Sequence, residues 1–258
     1  MPTLTADNLV SHIQRLGSSG GADNRLVVAS RDYYMIFSGH PGVPGLHAEA
    51  VSNFYLPRAA ELTPARQAVL GQRMFVARAG RNNFYRSLAS TTDAELRSFV
   101  DDALDVFARA YGVEPGSPAE FDLSFGEPEP TRNPDLLRHM KLLSVMRDWE
   151  TRKQVYTTFL GATVLLATDS EGGPEPQEVD RLGAFPVWAC FTDIDALRLW
   201  QPKGAPYKPT RVEDLVPRAV ERRIGSLLIN PRGNIGGELY INELESLQGA
   251  LQRRASKI

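Results

Sequence analysis

The segment 114–134, EPGSPAEFDLSFGEPEPTRNP, constrains this chain more than any other. It holds five prolines and no apolar periodicity. Each proline fixes its own φ and lacks a backbone donor, so no helix or central strand runs through such a stretch. Glu114, Glu120, Asp122, Glu127 and Glu129 face Arg132 alone, which gives −4 over the segment against +1 on either side. Proline and like-charge repulsion keep it extended, and it reads as a linker. The 258 residues then divide into domains at 1–113 and 135–258, each of ordinary size.

Composition narrows the function classes. With 42% hydrophobic and 23% charged residues the chain is globular in type. Its 29 basic and 31 acidic side chains, net −2, create no global field for nucleic acid or an anionic membrane. The lone cysteine, Cys190, excludes an intramolecular disulfide and points to a reducing compartment. The start MPTLTADN lacks the basic segment and apolar core of a signal peptide, and no run of eighteen apolar residues occurs. A cytoplasmic location is expected.

The order expected over 1–113 is α-β-β-β-α-β-β-α. Leu9, Ile13 and Leu16 share a helical face behind a cap at Thr5 or Asp7. Two β-rich runs, 25–30 and 33–38, flank Arg31-Asp32 as a hairpin, and a third strand is expected at 47–56. Thr63 and Pro64 mark a helix start, with Gln67 in the first turn completing the cap. Short strands follow at 73–78 and 84–88. Thr92 with Glu95 opens a helix whose apolar positions, Leu96 to Ala110, keep a 3.6 period up to Tyr111-Gly112.

The second half begins with an amphipathic helix at 135–149, then a second at 152–160, a strand at 162–167 and a polar loop at 168–181. The stretch 185–200, FPVWACFTDIDALRLW, reads as a buried strand passing directly into a short helix, with Thr192 and Asp195 as the cap pair. A polar loop (201–210), a helix near 212–223 and a strand at 226–230 follow. A glycine-rich turn and a short strand come next, and a last helix, capped by Asn242 with Glu245, runs to about Arg254.

The residues that invite chemistry have plainer readings. His12, His40, His47 and His139 show no metal-ligand spacing. Cys190 lies in a buried strand, whereas a reactive thiol needs an exposed, electropositive setting. Gly233–Gly237 lacks the Lys-Ser/Thr of a phosphate loop and precedes a strand, so it reads as a turn. Arg25, Arg31, Arg58, Arg66 and Arg73 alternate with acids and read as solvated surface. No cofactor and no metal is expected.

Two resemblances follow from these stretches. FPVWACFTDIDALRLW, the helix before LLINPRG, and GGELYINELESL resemble the SseB family over about 135–251. RLVVASRDYYMIFSG, AVSNFYL and the helix ending Ala110-Tyr111-Gly112 resemble the YbjN/CesT-like (TY-Chap) peptide-binding chaperone group. Together they imply a secretion-chaperone-like sheet with helices joined to an SseB-like mixed α/β sheet. They also imply a bacterial accessory protein, actinobacterial in the character of the pairing, near a secretion or toxin system; neither family brings a catalytic set.

The expectation is therefore a two-domain α+β, non-enzymatic binder of a protein or peptide partner, with no nucleic acid or membrane partner. In Tyr33–Phe37 both strand faces are apolar, and an uncovered face would suit a homodimer or a captured peptide. Tyr34 and Ile36, with Phe54 on the neighbouring strand, are the candidate partner-binding residues; Met35 and Phe37 are the core side. An acid–base pair assembled from distant positions leaves no trace in spacing. An enzyme with its site in the C-terminal half, and an immunity or regulatory scaffold, therefore stay open as alternatives.

Overall fold

The computed structural model describes residues 2–21, 23–89, 92–126, 130–170, 173 and 175–255. The protein is mixed α+β, and its backbone contacts separate into two compact units, Met1–Glu129 and Pro130–Ile258.

In the first unit, α1 (Ala6–Ser18) starts at Thr5, whose side chain accepts from the Asn8 N–H. The hairpin β1 (Asn24–Ser30) and β2 (Tyr33–Gly39) turns through Arg31 at a left-handed φ of 56°. β3 (Leu46–Ala50) stops short of the expected strand at 47–56. Asn53 Oδ1 accepts from the Leu62 N–H and Ser52 Oγ from the Phe54 N–H, and such side-chain bonds compete with a ladder. α2 (Pro64–Gln72) is capped by Thr63, but Gln67 donates outward to the Leu62 carbonyl instead of completing the cap. The strand expected at 73–78 is cut to β4 (Val76–Ala77), because the N–H groups of Arg73 and Phe75 still bond carbonyls of α2. β5 (Phe84–Leu88) and α3 (Asp93–Asp105) follow; α3 continues as a π-helical turn over Val106–Ala110 and closes at Gly112, where φ is +67°.

The segment read as a linker is part of this sheet. Within 114–134, β6 (Glu120–Ser124) pairs antiparallel with β1, and the Leu4 N–H donates to the Ser117 carbonyl. Glu120, Asp122 and Ser124 are exposed while Phe121 and Leu123 are partly buried, an alternation suited to a charged edge strand. Glu127 and Glu129 lie outside the described residues. The sheet order is β4-β5-β3-β2-β1-β6, antiparallel throughout. Phe37 meets Phe99 edge-on at 6.1 Å, and Tyr33 stacks on Tyr111 at 4.8 Å.

In the second unit, α4 (Pro134–Met146) and α5 (Trp149–Leu160) precede β7 (Thr163–Ala167), β8 (Glu178–Leu182) and β9 (Phe185–Phe191). Then come α6 (Ile194–Trp200), β10 (Tyr207–Arg211), α7 (Val212–Glu221), β11 (Ser226–Ile229), β12 (Gly237–Tyr240) and α8 (Ile241–Ala255). The order is β10-β7-β9-β11-β12, with β8 also on β9; only β9 and β11 are parallel. β9 is central, and its two faces enter different clusters. Trp188 and Cys190 pack among residues of α4, α5, α7 and α8, whereas Ala189 and Phe191 pack with Ala196 and Leu197 of α6.

Three expectations for this half are corrected. The loops at 168–181 and 201–210 contain β8 and β10, polar strands held by pairing rather than by their own pattern. The α6 cap is Asp193, which accepts from the Ala196 N–H; Thr192 instead bonds Asp193 and Asn230 through its side chain. α8 begins at Ile241, and it is Glu243 that accepts from the Tyr240 N–H, so Asn242 lies inside the helix.

Candidate interaction surface

The two helices expected at 135–149 and 152–160 are present as α4 and α5, but the break between them falls about three residues earlier, in a tight corner at Arg147–Asp148. Arg147 takes φ 54°, its N–H donating to the Leu143 carbonyl, and ends α4 in the left-handed manner usual for glycine. Asp148 then caps α5: its carboxylate accepts from the Thr151 N–H at 2.8 Å and the Thr151 hydroxyl at 2.9 Å. The backbone bond from Thr151, foremost, and its hydroxyl hold the Asp148 carboxyl below its ordinary value. Further down the hairpin the His139 ring Nδ1 meets Thr158 Oγ1 at 2.9 Å, so α4 and α5 lie alongside one another.

This corner aims apolar side chains at water. Leu136 and Met140 are buried, and Leu143 packs against the same core. Leu142, Val145, Met146 and Trp149 are not part of it: Val145 is 74% exposed, Trp149 70%, Met146 59% and Leu142 43%. The α4 core stripe ends at Leu143, one turn before Met146. The surrounding charge is mainly basic. Arg138 pairs with Asp135 and Lys153 sits 3.9 Å from Glu150, while Lys141, Arg147 and Arg152 are exposed. The signal in the sequence is that 136–149 is apolar on more than one face, with Asp148-Trp-Glu-Thr151 as a capping pattern inside it.

The sequence-derived candidates lie elsewhere. Tyr34 and Ile36 are each 3% exposed and belong to the first unit's core, so neither is a surface residue. β2 lies between β1 and β3, and both of its faces are buried. Burial is the first cause that raises the Tyr34 phenol far above its ordinary value. Phe54 is 54% exposed, but it stands in the turn after β3, edge-on to Tyr55, and not on a strand. The structure does not bring the three together as an exposed patch.

The four histidines occupy separate places. His12 lies tilted against Phe121, its ring centroid 4.7 Å away, His40 contacts the Pro41 carbonyl and His139 meets Thr158. His47 lies beside Tyr85 and Ser87 on the exposed part of the β3–β5 face. Among the described residues no group of three or more His, Cys, Asp or Glu could hold a metal. Gly233–Gly237 is the β11–β12 turn. Buried Asn230, at φ 52°, accepts from the Thr192 N–H and donates to the Ile235 carbonyl, and a Cβ at Gly233 or Gly236 would come within 2.9 Å of its carbonyl oxygen. Of the arginines read as solvated, Arg25 is buried at 4% exposure and Arg73 is tied to Asp102 and Asp105; Arg31, Arg58 and Arg66 are exposed. No described helix is long and apolar enough to cross a membrane. No protein-family model, curated protein or solved structure matches the chain.

Proposed function

We propose that this is a non-enzymatic accessory protein that binds a protein partner, with the α4–α5 corner as its recognition surface. The observation that carries this reading is the exposure of Trp149 beside Val145, Met146 and Leu142. Apolar area left in water forgoes about 25 cal/mol per Å², and contiguous apolar patches on soluble proteins mark interaction sites. Tryptophan and methionine with arginine at the rim is also the composition that distinguishes interface cores, with tryptophan prominent among energetic hot spots. The SseB-like and YbjN/CesT-like resemblances support the same class of function, a bacterial accessory role near secretion or toxin systems.

The test is a photocrosslinking amino acid placed at position 145, with position 66 as an exposed control. Irradiation in the cells that make the protein is expected to give a discrete protein adduct from 145 and none from 66. Equal adducts from both positions, or none from 145, overturn the reading.

A further inference from the structure

We infer that the α4–α5 corner receives an acidic amphipathic helix of a partner protein; this rests on the protein-binding reading above. Two observations select that occupant. The first is spacing. Leu142, Val145 and Met146 share one face of α4 at i, i+3 and i+4, and the exposed Trp149 opens α5 directly after the Arg147–Asp148 corner. An exposed apolar row at helical spacing accepts the apolar face of a partner helix packed against it.

The second is charge. Between Arg138 and Lys153 there are five basic side chains and two acidic ones. Of the acids, Asp148 spends its carboxylate on Thr151 and Glu150 sits 3.9 Å from Lys153. Asp135, just outside, is paired with Arg138 at 3.2 Å. Lys141 and Arg147 have no acidic partner among the described residues, and Arg152 neighbours Tyr156. The rim thus stays cationic on a chain of net charge −2. Complementary charge at a rim steers association and rejects like-charged partners. Self-association through this same corner would bring Lys141 and Arg147 against their own copies. With Arg138 paired to Asp135 and Lys153 to Glu150, three basic side chains remain, fewer than the cluster of about 4–8 that recruitment to an anionic membrane commonly uses.

The experiment selects a random peptide-display library on the full-length chain, counter-selecting with Val145→Ser/Trp149→Ser. Enriched peptides are expected to place Leu, Ile or Phe at helical spacing among Asp and Glu. A synthetic peptide of the enriched sequence should bind roughly tenfold more weakly to Lys141→Glu/Arg147→Glu, and should weaken between about 50 and about 500 mM NaCl. Lys208→Glu, on the exposed edge strand β10, should bind it unchanged. Circular dichroism checks each fold, and Lys141→Gln/Arg147→Gln replaces the reversal if that unfolds α4. Neutral or basic peptides that depend on the corner overturn the acidic partner and leave protein binding standing. No corner-dependent peptide, together with corner-dependent binding to phosphatidylserine–phosphatidylcholine vesicles, overturns both. Corner-dependent dimerisation in sedimentation overturns the separate partner.

Discussion

His47 and Cys190 are two of the side chains whose titration their surroundings shift. Cys190 is fully buried in β9, and burial pushes its thiol up to about 12. It should resist thiol reagents at neutral pH until the second unit unfolds; rapid labelling of native protein would show that the strand opens. His47 is exposed, yet its imidazole is held below its ordinary value, first by the burial it does have, then by the charges of Arg78 and Arg81, with Glu49 opposing. A base with a lowered folded pKa contributes stability above its unfolded value, about 6.5, that is lost as pH falls through the lowered one. The first unit should therefore weaken in mild acid through this residue. Arg78→Ala should raise the His47 titration, followed by NMR of the imidazole; no change there would remove Arg78 as a cause. The sequence marked Cys190 as packed because its strand is apolar throughout. It gave no hint of His47, whose neighbours Tyr85 and Ser87 come from a strand forty residues on.

Elements differ in legibility for one physical reason: some carry their own burial pattern and some borrow it. β9 carries its own, since Val187 to Phe191 are apolar at both parities and all are buried. Phe191→Ala should cost about 3–5 kcal/mol, the range for a buried phenylalanine, in denaturant titration. A loss below about 1 kcal/mol would place this side chain at a surface. By contrast β6, β8 and β10 are short and polar outside, and each is held by the strand beside it, so charge and proline read there as loop. The α4–α5 corner was placed about three residues late because an arginine, not a glycine, occupies its left-handed position. That conformation costs a side-chain-bearing residue about 1–2 kcal/mol, partly offset for glycine by its greater unfolded freedom. Arg147→Gly should accordingly stabilise the second unit by up to about 1 kcal/mol. A clear destabilisation would mean that the Arg147 side chain holds the corner together.

For the molecule as a whole, the question is whether the two units fold independently. Their hydrophobic clusters share no residue: one is confined to the first unit and two to the second. The three tryptophans, Trp149, Trp188 and Trp200, all lie in the second unit, so tryptophan fluorescence of the intact chain reports on that unit alone. Tyr34 and Ile36, proposed from sequence as surface residues, are as buried as Met35 and Phe37 across the same strand. A carboxylate at any of the four is a buried, unpaired charge, which proteins tolerate poorly. Tyr34→Asp and Phe37→Asp should therefore do the same thing: part of the tyrosine near-UV signal and part of the far-UV dichroism are lost, while the tryptophan transition keeps its midpoint. The contrast expected from sequence, binding lost in one case and folding in the other, should be absent. If the tryptophan midpoint instead falls with both variants, the two units form a single cooperative structure.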